Sequence, residues 1–152
     1  LGGGFELIQA ADIVVAAESA RFGQPEIVLG VFAPAACALL AERVGATRAA
    51  HLLYSGEPLA ADEAVAAGLA LRVVPDASLE EQALALAHSI ARHSGSALRL
   101  SKRALRAGRN RPLADVLRQA ARIYTDELMQ THDALEGLQA FVEKRRPEWS
   151  HR

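Results

Sequence analysis

Two glutamates, Glu6 and Glu26, stand in stretches of sequence that are otherwise apolar. Each has an ordinary structural interpretation by itself. Glu6 places a negative charge near a helix N-terminus, and Glu26 follows Pro25 as a turn residue at the surface. As a pair they form a candidate acid/base couple, because two carboxylates in a poorly hydrated pocket can differ enough in proton affinity for one to hold a proton while the other accepts one.

Three consecutive glycines, at positions 2–4, precede Glu6. They lack the spacing of the G-x-G-x-x-G dinucleotide motif, and no P-loop lysine follows, so the spacing favours a plain turn over a phosphate loop. A third alternative is that amides in the first turn of a helix point at a developing oxyanion, which becomes catalytic only beside a partner group.

Other catalytic and metal-binding patterns are missing from the sequence. The five histidines are scattered without metal-ligand spacing, and no G-x-S-x-G elbow is present. We therefore predict no metal site. Cys37 is expected to be a small buried side chain. The basic residues at 99–106 and 144–146 favour solvated surface, with a phosphorylated small ligand as the alternative.

The composition excludes several classes of partner. Lys and Arg number 17 against 18 Asp and Glu, so there is no basic field for nucleic acid or an anionic membrane. The apolar runs are shorter than the roughly 20 residues of a spanning helix. A single cysteine fits a reducing cytoplasm, where we expect the protein. Because Leu1 opens directly on a glycine turn, we expect the natural chain to continue upstream.

Periodicity and turn residues predict an α/β core followed by a helical region. Predicted strands are 12–17 and 69–74, with 27–32 as a strand or loop, and predicted helices are 5–10, 35–43, 48–54, 62–67, 78–92, 96–107, 113–130 and 133–142. Ser78, Ser96 and Asp133 are the expected N-caps. The apolar stripe along 113–130 is expected to be buried.

The strings LGGGFEL and AADIVVAAESARFGQPEIVLGV resemble the central signature of the enoyl-CoA hydratase/isomerase (crotonase) superfamily. YSGEPLAADEAVAAGLALRVVP and THDALEGLQAFVEKRRPEW resemble its later segments, so the likeness covers essentially the whole chain. The resemblance implies an α/β fold of the ClpP/crotonase type, with a spiral ββα core that is incomplete here. Residues 1–75 would form the C-terminal part of that core, and residues 76–152 a helical region for oligomerisation and closure of the CoA site.

The resemblance also implies roles for individual residues. It places the two hydratase glutamates on Glu6 and Glu26, whose separation of 20 positions (26 − 6) is that of the family's pair. It places one oxyanion-hole amide on Gly3, with the other upstream of Leu1, and a weaker CoA contact on Lys144. The substrate would be an acyl-CoA thioester, with no separate cofactor, and the protein would assemble as a trimer or a hexamer.

The sequence departs from ordinary hydratases after Gly30, where VFAPAACALLAERVG replaces a glycine-rich loop of the acyl pocket. Val31, Phe32 and Pro34 are the expected pocket residues. In this respect the chain looks most like hydratases of cyclohexa-1,5-diene-1-carbonyl-CoA. Generic enoyl-CoA hydration and isomerisation are the alternatives, and a non-catalytic oligomerising fragment is the alternative of another class. We expect little activity from residues 1–152 alone.

Overall fold

A computed structural model of the chain describes residues 1–108 and 111–152, which fall into two compact units. The first unit, Leu1–Ala85, contains short strands among helices. Its helices are α1 Gly3–Gln9, α2 Pro34–Val44, α3 Ala46–Ser55 and α4 Ala61–Ala66, and its strands are β1 Val15–Ala17, β2 Arg21–Phe22, β3 Leu59–Ala60 and β4 Arg72–Val74. Helix α5, Leu79–Ala91, begins in this unit and ends in the second.

The strands of the first unit form two pairs. β1 lies parallel to β4 with Ala16 opposite Val73, and β2 lies antiparallel to β3 with Phe22 opposite Leu59. Both predicted strands are present but shorter than expected, because pairing covers only three residues of each. The α/β character predicted for this part of the chain is confirmed.

Apolar side chains from helices and strands form one core in the first unit. Phe5 and Phe22 pack edge to face with ring centroids 6.1 Å apart. Leu40 from α2 and Leu52 from α3 are fully buried in the same cluster. Since Phe5 precedes Glu6 directly, burial of its ring fixes the beginning of α1 against the core.

The prediction of a strand or loop at 27–32 is wrong for its first part. Pro25–Leu29 forms a 3₁₀ helix instead. Pro25 occupies its first turn, where the fixed φ of proline suits a helix start, and Gly30 ends it with φ of 75° in the left-handed region. The helix predicted at 35–43 is confirmed as α2, which extends over Pro34–Val44 and so includes most of the segment expected to line the acyl pocket.

The second unit, Leu86–Arg152, is helical throughout its regular structure. After α5 it contains α6 Gly95–Ala107, α7 Leu113–Arg122, a π-helical turn Ile123–Glu127, a 3₁₀ turn Leu128–Gln130 and α8 His132–Glu143. Neither in this unit nor elsewhere in the described residues is a helix both long and apolar enough to cross a membrane.

The amphipathic helix predicted at 113–130 is interrupted. The α-helical turn widens into a π turn at Ile123, which shifts the phase of the residues that follow. Ile123 is buried, whereas Leu113, Leu117 and Tyr124 of the predicted stripe are 72%, 60% and 56% exposed. The expectation of a buried stripe is therefore wrong within the described residues.

The three predicted N-caps are also corrected. Ser78 lies in a 3₁₀ turn, where its hydroxyl donates to the carbonyl of Pro75. Ser94 rather than Ser96 caps α6, and Thr131 rather than Asp133 caps α8. Ser96 and Asp133 are instead the second residues of α6 and α8. Their side chains are buried, because they belong to one cluster of hydrogen-bonded polar residues.

Candidate active site

The glycine turn at the start of the chain is anchored to the segment that carries Glu26. The amide of Gly2 donates to the carbonyl of Gly23 at 3.0 Å, and the carbonyl of Gly2 accepts from the amides of Phe5 and Glu6. Gly2 has φ of 55° and ψ of −134°, a conformation that favours glycine. The chain can therefore enter α1 directly after a sharp turn, which makes Gly3 the first helical residue.

Gly3 is exposed at the first position of α1. Amides in the first turn of a helix have no acceptor within that helix, so they are able to bind an external oxygen. The resemblance predicted that the amide of Gly3 is an oxyanion-hole donor. Its role stays a prediction.

Glu6 is half-buried and reaches from α1 to the beginning of α2. Its Oε1 atom accepts from the amide of Ala35 at 3.0 Å and from that of Ala36 at 3.1 Å. Both amides belong to the first turn of α2, where the helix dipole also favours a negative charge. The carboxylate is thus held by one oxygen, while Oε2 accepts no such bond within the described part of the chain.

Glu26 is half-buried on the 3₁₀ helix and is held from another direction. With its amide oriented so that nitrogen faces the carboxylate, Gln24 donates to Oε2 at 3.0 Å and to Oε1 at 3.2 Å. Oε1 also lies against Gly2, where a β-carbon would be only 3.1 Å from it. Gln24 was not singled out from the sequence. The sequence offers only a weak signal for it, a glutamine two positions before a candidate catalytic glutamate, because its burial is seen in the structure alone.

Both predicted glutamates are therefore connected to one turn, at Gly2 and Gly3. Glu26 lies against Gly2, and Glu6 projects from the helix that Gly3 begins. Among the described residues, the donors seen at both carboxylates are neutral amides: backbone amides for Glu6 and a glutamine side chain for Glu26. Chemically, such an arrangement can orient a water molecule and exchange protons with it.

The residues expected at the acyl pocket follow the 3₁₀ helix that carries Glu26. Val31 and Phe32 are 54% and 68% exposed, and Pro34 is the first residue of α2. The amide of Val31 donates to the carbonyl of Glu26 at 3.3 Å. Val31 and Phe32 therefore present apolar side chains to solvent close in the chain to Glu26, and the first unit by itself does not enclose them.

Lys144 lies in the second unit, as the residue that ends α8. Its backbone is left-handed, with φ of 55°, and its side chain is exposed. Its predicted contact with CoA stays a prediction. Among residues 1–108 and 111–152, no group of three or more His, Cys, Asp or Glu side chains could hold a metal ion. Cys37, expected to be buried, is exposed on α2.

The comparisons with known proteins agree on one family. The family described as enoyl-CoA hydratase/isomerase matches residues 1–152. Cyclohexa-1,5-dienecarbonyl-CoA hydratase of Thauera aromatica is 44% identical over 155 residues, which cover all of this chain and 58% of the relative. 2,3-Dehydroadipyl-CoA hydratase of Escherichia coli K12 is 42% identical over all of this chain and 60% of the relative. The chain therefore spans somewhat less than two thirds of their length.

Solved structures agree with the sequence comparison. An enoyl-CoA hydratase from Bacillus anthracis superposes with a TM-score of 0.94 at 39% identity, over 99% of this chain and 58% of that one. An enoyl-CoA hydratase/isomerase from Mycobacterium abscessus superposes with a TM-score of 0.92 at 36% identity, over 99% and 63%. The crotonase-like α/β fold expected from the sequence is confirmed. The chain belongs to the enoyl-CoA hydratase/isomerase (crotonase) family.

Proposed function

We propose that the protein adds water to a conjugated enoyl-CoA thioester, with Glu6 and Glu26 as its acid/base pair. The observation on which this depends most is that both glutamates are connected to the turn at Gly2 and Gly3, Glu26 by its contact with Gly2 and Glu6 by its place on the helix that Gly3 begins. Isomerisation moves a proton within the substrate and can work with one carboxylate. Hydration must both remove a proton from water and supply one to carbon, which suits a site with two carboxylates.

The reaction balances through these groups. One carboxylate takes a proton from water while the oxygen of that water bonds to the β-carbon of the substrate. The electron pair of the double bond moves toward the thioester. The amide of Gly3 stabilises the negative charge that develops on the thioester carbonyl oxygen. The other carboxyl group then gives a proton to the α-carbon. The geometry leaves the two roles unassigned between Glu6 and Glu26.

For the acyl group we propose a cyclic diene, cyclohexa-1,5-diene-1-carbonyl-CoA, over a dehydroadipyl chain. The relatives named for these two substrates are 44% and 42% identical, too close for identity to decide. The side chains of Val31 and Phe32 favour the cyclic substrate, because an apolar surface would leave the terminal carboxylate of an adipyl chain without partners. Generic enoyl-CoA hydration is the second candidate, supported by the same pair of carboxylates.

We further propose that the protein acts as a homo-oligomer. Large apolar side chains are exposed on two helices of the second unit, at Leu113 and Leu117 of α7 and at Phe141 and Val142 of α8. Exposed apolar surface of this kind is costly in water and favours burial against other protein. Native mass spectrometry of the protein expressed from its complete gene tests this, and a monomer at micromolar concentration would contradict it.

Kinetic assays of the protein expressed from its complete gene test the function. We expect crotonyl-CoA and the cyclic dienoyl-CoA both to lose conjugated absorbance, with the higher kcat/KM for the cyclic substrate. Product mass separates hydration, which adds one water, from isomerisation, which adds none. Glu6→Gln and Glu26→Gln should each lower kcat by about 10²- to 10⁴-fold. The exposed residue Glu80 provides the control, because Glu80→Gln should leave kcat unchanged.

Three results would contradict the proposal. Full activity of both glutamine variants would remove the carboxylates from the mechanism. A product with a shifted double bond and no added water would identify an isomerase. Absence of turnover with either thioester, in a folded protein that still forms an oligomer, would favour a non-catalytic role.

A further inference from the structure

Arg43 joins the end of α2 to the end of α1. From the last turn of α2 its Nε donates to the carbonyl of Gln9 at 3.1 Å, and its Nη2 donates to the carbonyl of Ile8 at 3.4 Å and to that of Ala11. The side chain is half-buried. One guanidinium therefore donates hydrogen bonds to three carbonyls where α1 ends.

These contacts matter because α1 is short. It has seven residues, and a helix of that length is unstable unless other parts of the protein stabilise it. The last carbonyls of a helix have no partner within it, and a cation beside them also opposes the negative end of the helix dipole. A planar group with five donors can serve several of these carbonyls at once, which a single ammonium cannot do.

The same two helices are joined at their other ends by Glu6. Its carboxylate, carried on α1, accepts from the first turn of α2, while Arg43, carried on the last turn of α2, donates to the end of α1. Each helix thus carries a charged side chain that binds backbone groups at one end of the other helix. On α2 the two attachments, at Ala35 and Ala36 and at Arg43, are separated by roughly 11 Å along the helix axis at 1.5 Å per residue.

Two separated attachments restrict α1 more than one can. With Glu6 alone, α1 could pivot about its carboxylate, which would change both the direction of Oε2 and the position of the Gly3 amide. With Arg43 in place, rotation about that point requires breaking the bonds to Ile8 and Gln9. Catalytic groups lose activity when they are displaced by as little as about 1 Å.

We propose that Arg43 is a positioning residue for Glu6, and that it acts through α1 without touching the substrate. This rests on the proposed function, in which Glu6 exchanges a proton during hydration. Arg43 lies at the far end of α2 from the carboxylate, so it would escape a search restricted to the neighbourhood of the two glutamates.

Variants of the protein expressed from its complete gene test this. We expect Arg43→Met to lower kcat for enoyl-CoA hydration by about tenfold with KM changed less than twofold, because binding of the thioester does not depend on the direction of Oε2. The kcat of Arg43→Lys should lie between those of the wild type and Arg43→Met, since lysine keeps the positive charge but not the planar guanidinium with its several donors. Arg48→Met, on α3, is the matched control and should retain wild-type kcat.

A double variant separates positioning from general destabilisation. In a Glu6→Gln background, Arg43→Met should cause no further loss of kcat, because the group that it positions no longer exchanges protons. An equal loss in both backgrounds would overturn the proposal. So would wild-type kcat in Arg43→Met. If Arg43→Met does not fold, Arg43→Lys in the two backgrounds gives the same comparison.

Hydrogen exchange provides a measurement that does not depend on turnover. Glu6 protects the amides of Ala35 and Ala36 by accepting from them. Arg43→Met should make these two amides exchange at least tenfold faster, whereas Arg48→Met should not. Unchanged exchange would overturn the positioning role. If the wild-type protein lacks hydratase activity but Arg43→Met still accelerates exchange, the proposed function fails while the coupling of the helices stands.

Discussion

The buried amide of Gln24 donates to both carboxylate oxygens of Glu26, at 3.0 Å to Oε2 and 3.2 Å to Oε1. Gln24 is only 1% exposed, so its amide has little access to water and depends on the glutamate for this partner. The carboxylate in turn is restrained to one direction, toward Gly2. This pair connects the buried core of the first unit to the candidate active site.

Replacing Gln24 by leucine tests how much Glu26 depends on this restraint. Gln24→Leu keeps the size of the side chain but removes both donors, so the carboxylate becomes free to turn. We expect kcat for enoyl-CoA hydration to fall about tenfold or more with little change in KM, measured by steady-state kinetics. An unchanged kcat would contradict a role for Gln24 in orienting Glu26. Gln9→Leu, at a second buried glutamine, should retain wild-type kcat.

Gly2 is expected to tolerate no side chain. Gly2→Ala places a β-carbon 3.1 Å from Oε1 of Glu26 on a backbone with φ of 55°. We expect a loss of about 1 to 3 kcal/mol in the free energy of unfolding from the backbone alone, measured in urea. We also expect kcat to fall about tenfold, because the carboxylate must move.

Gly45→Ala is the matched control for this variant. Gly45 has φ of 79° and open space where a β-carbon would be placed. It should therefore cost a similar free energy of unfolding without changing kcat of the folded protein. Equal kcat in the two variants would show that the contact with Glu26 is unimportant.

The sequence was sufficient to predict the helices of the first unit, whereas the catalytic roles of Glu6 and Glu26 stay predictions. Alanine and leucine dominate α2 and α3, and Gly56 ends α3 with φ of 69°, so local preference and packing agree there. The segment Pro25–Leu29 could not be predicted in the same way. Its apolar run suits a strand, but Pro25 and Gly30 together determine a short 3₁₀ helix.

The errors in the second unit have a different cause. The apolar spacing of 113–130 correctly indicated a helix, but spacing alone does not tell which surface covers an apolar face. The residues that are buried there include polar ones, Ser94, Ser96 and Asp133, whose hydrogen bonds join segments far apart in the chain. Likewise, the contacts of Gln24 and Arg43 depend on tertiary structure that local patterns do not determine.

Gln9 offers a test of stability in the first unit. Its side chain is buried, and neither of its amide atoms has a hydrogen-bond partner among the described residues. Gln9→Leu removes two unsatisfied polar atoms and adds apolar volume at the same position. We expect the free energy of unfolding to rise by about 1 to 2 kcal/mol, measured by urea denaturation of the protein expressed from its complete gene. A decrease would show that the amide has a partner elsewhere in that protein.

Asp133 is the buried charge on which the second unit depends. Its carboxylate accepts from the hydroxyls of Ser94 at 2.5 Å and Ser150 at 2.9 Å, and from the amides of Ser150 at 2.8 Å and His151 at 3.0 Å. Burial by itself would raise the pKa of Asp133, but these hydrogen bonds outweigh it and lower the pKa well below its ordinary value. Nearby, Arg145 lowers the pKa of Glu136 to about 2.

These lowered pKa values predict how stability changes in acid. A carboxylate whose pKa is lower in the folded state stabilises the fold above its unfolded pKa, and this stabilisation is lost as the pH falls toward the folded value. For Glu136 the window runs from about pH 4.5 down to about pH 2, and for Asp133 it begins near pH 3.8. The protein should therefore lose thermal stability steeply below about pH 4.5.

Asp133→Asn should lower the melting temperature at neutral pH, because an amide cannot accept all the hydrogen bonds that the carboxylate accepts. It should also make the melting temperature less sensitive to pH below about pH 4, because the group that protonates is gone. Circular dichroism at 222 nm, the usual helix band, follows both changes. Asp115→Asn, at an exposed aspartate paired with Arg118, is the control and should alter neither. If both variants show the wild-type dependence on pH, protonation of Asp133 does not limit the stability of the second unit in acid.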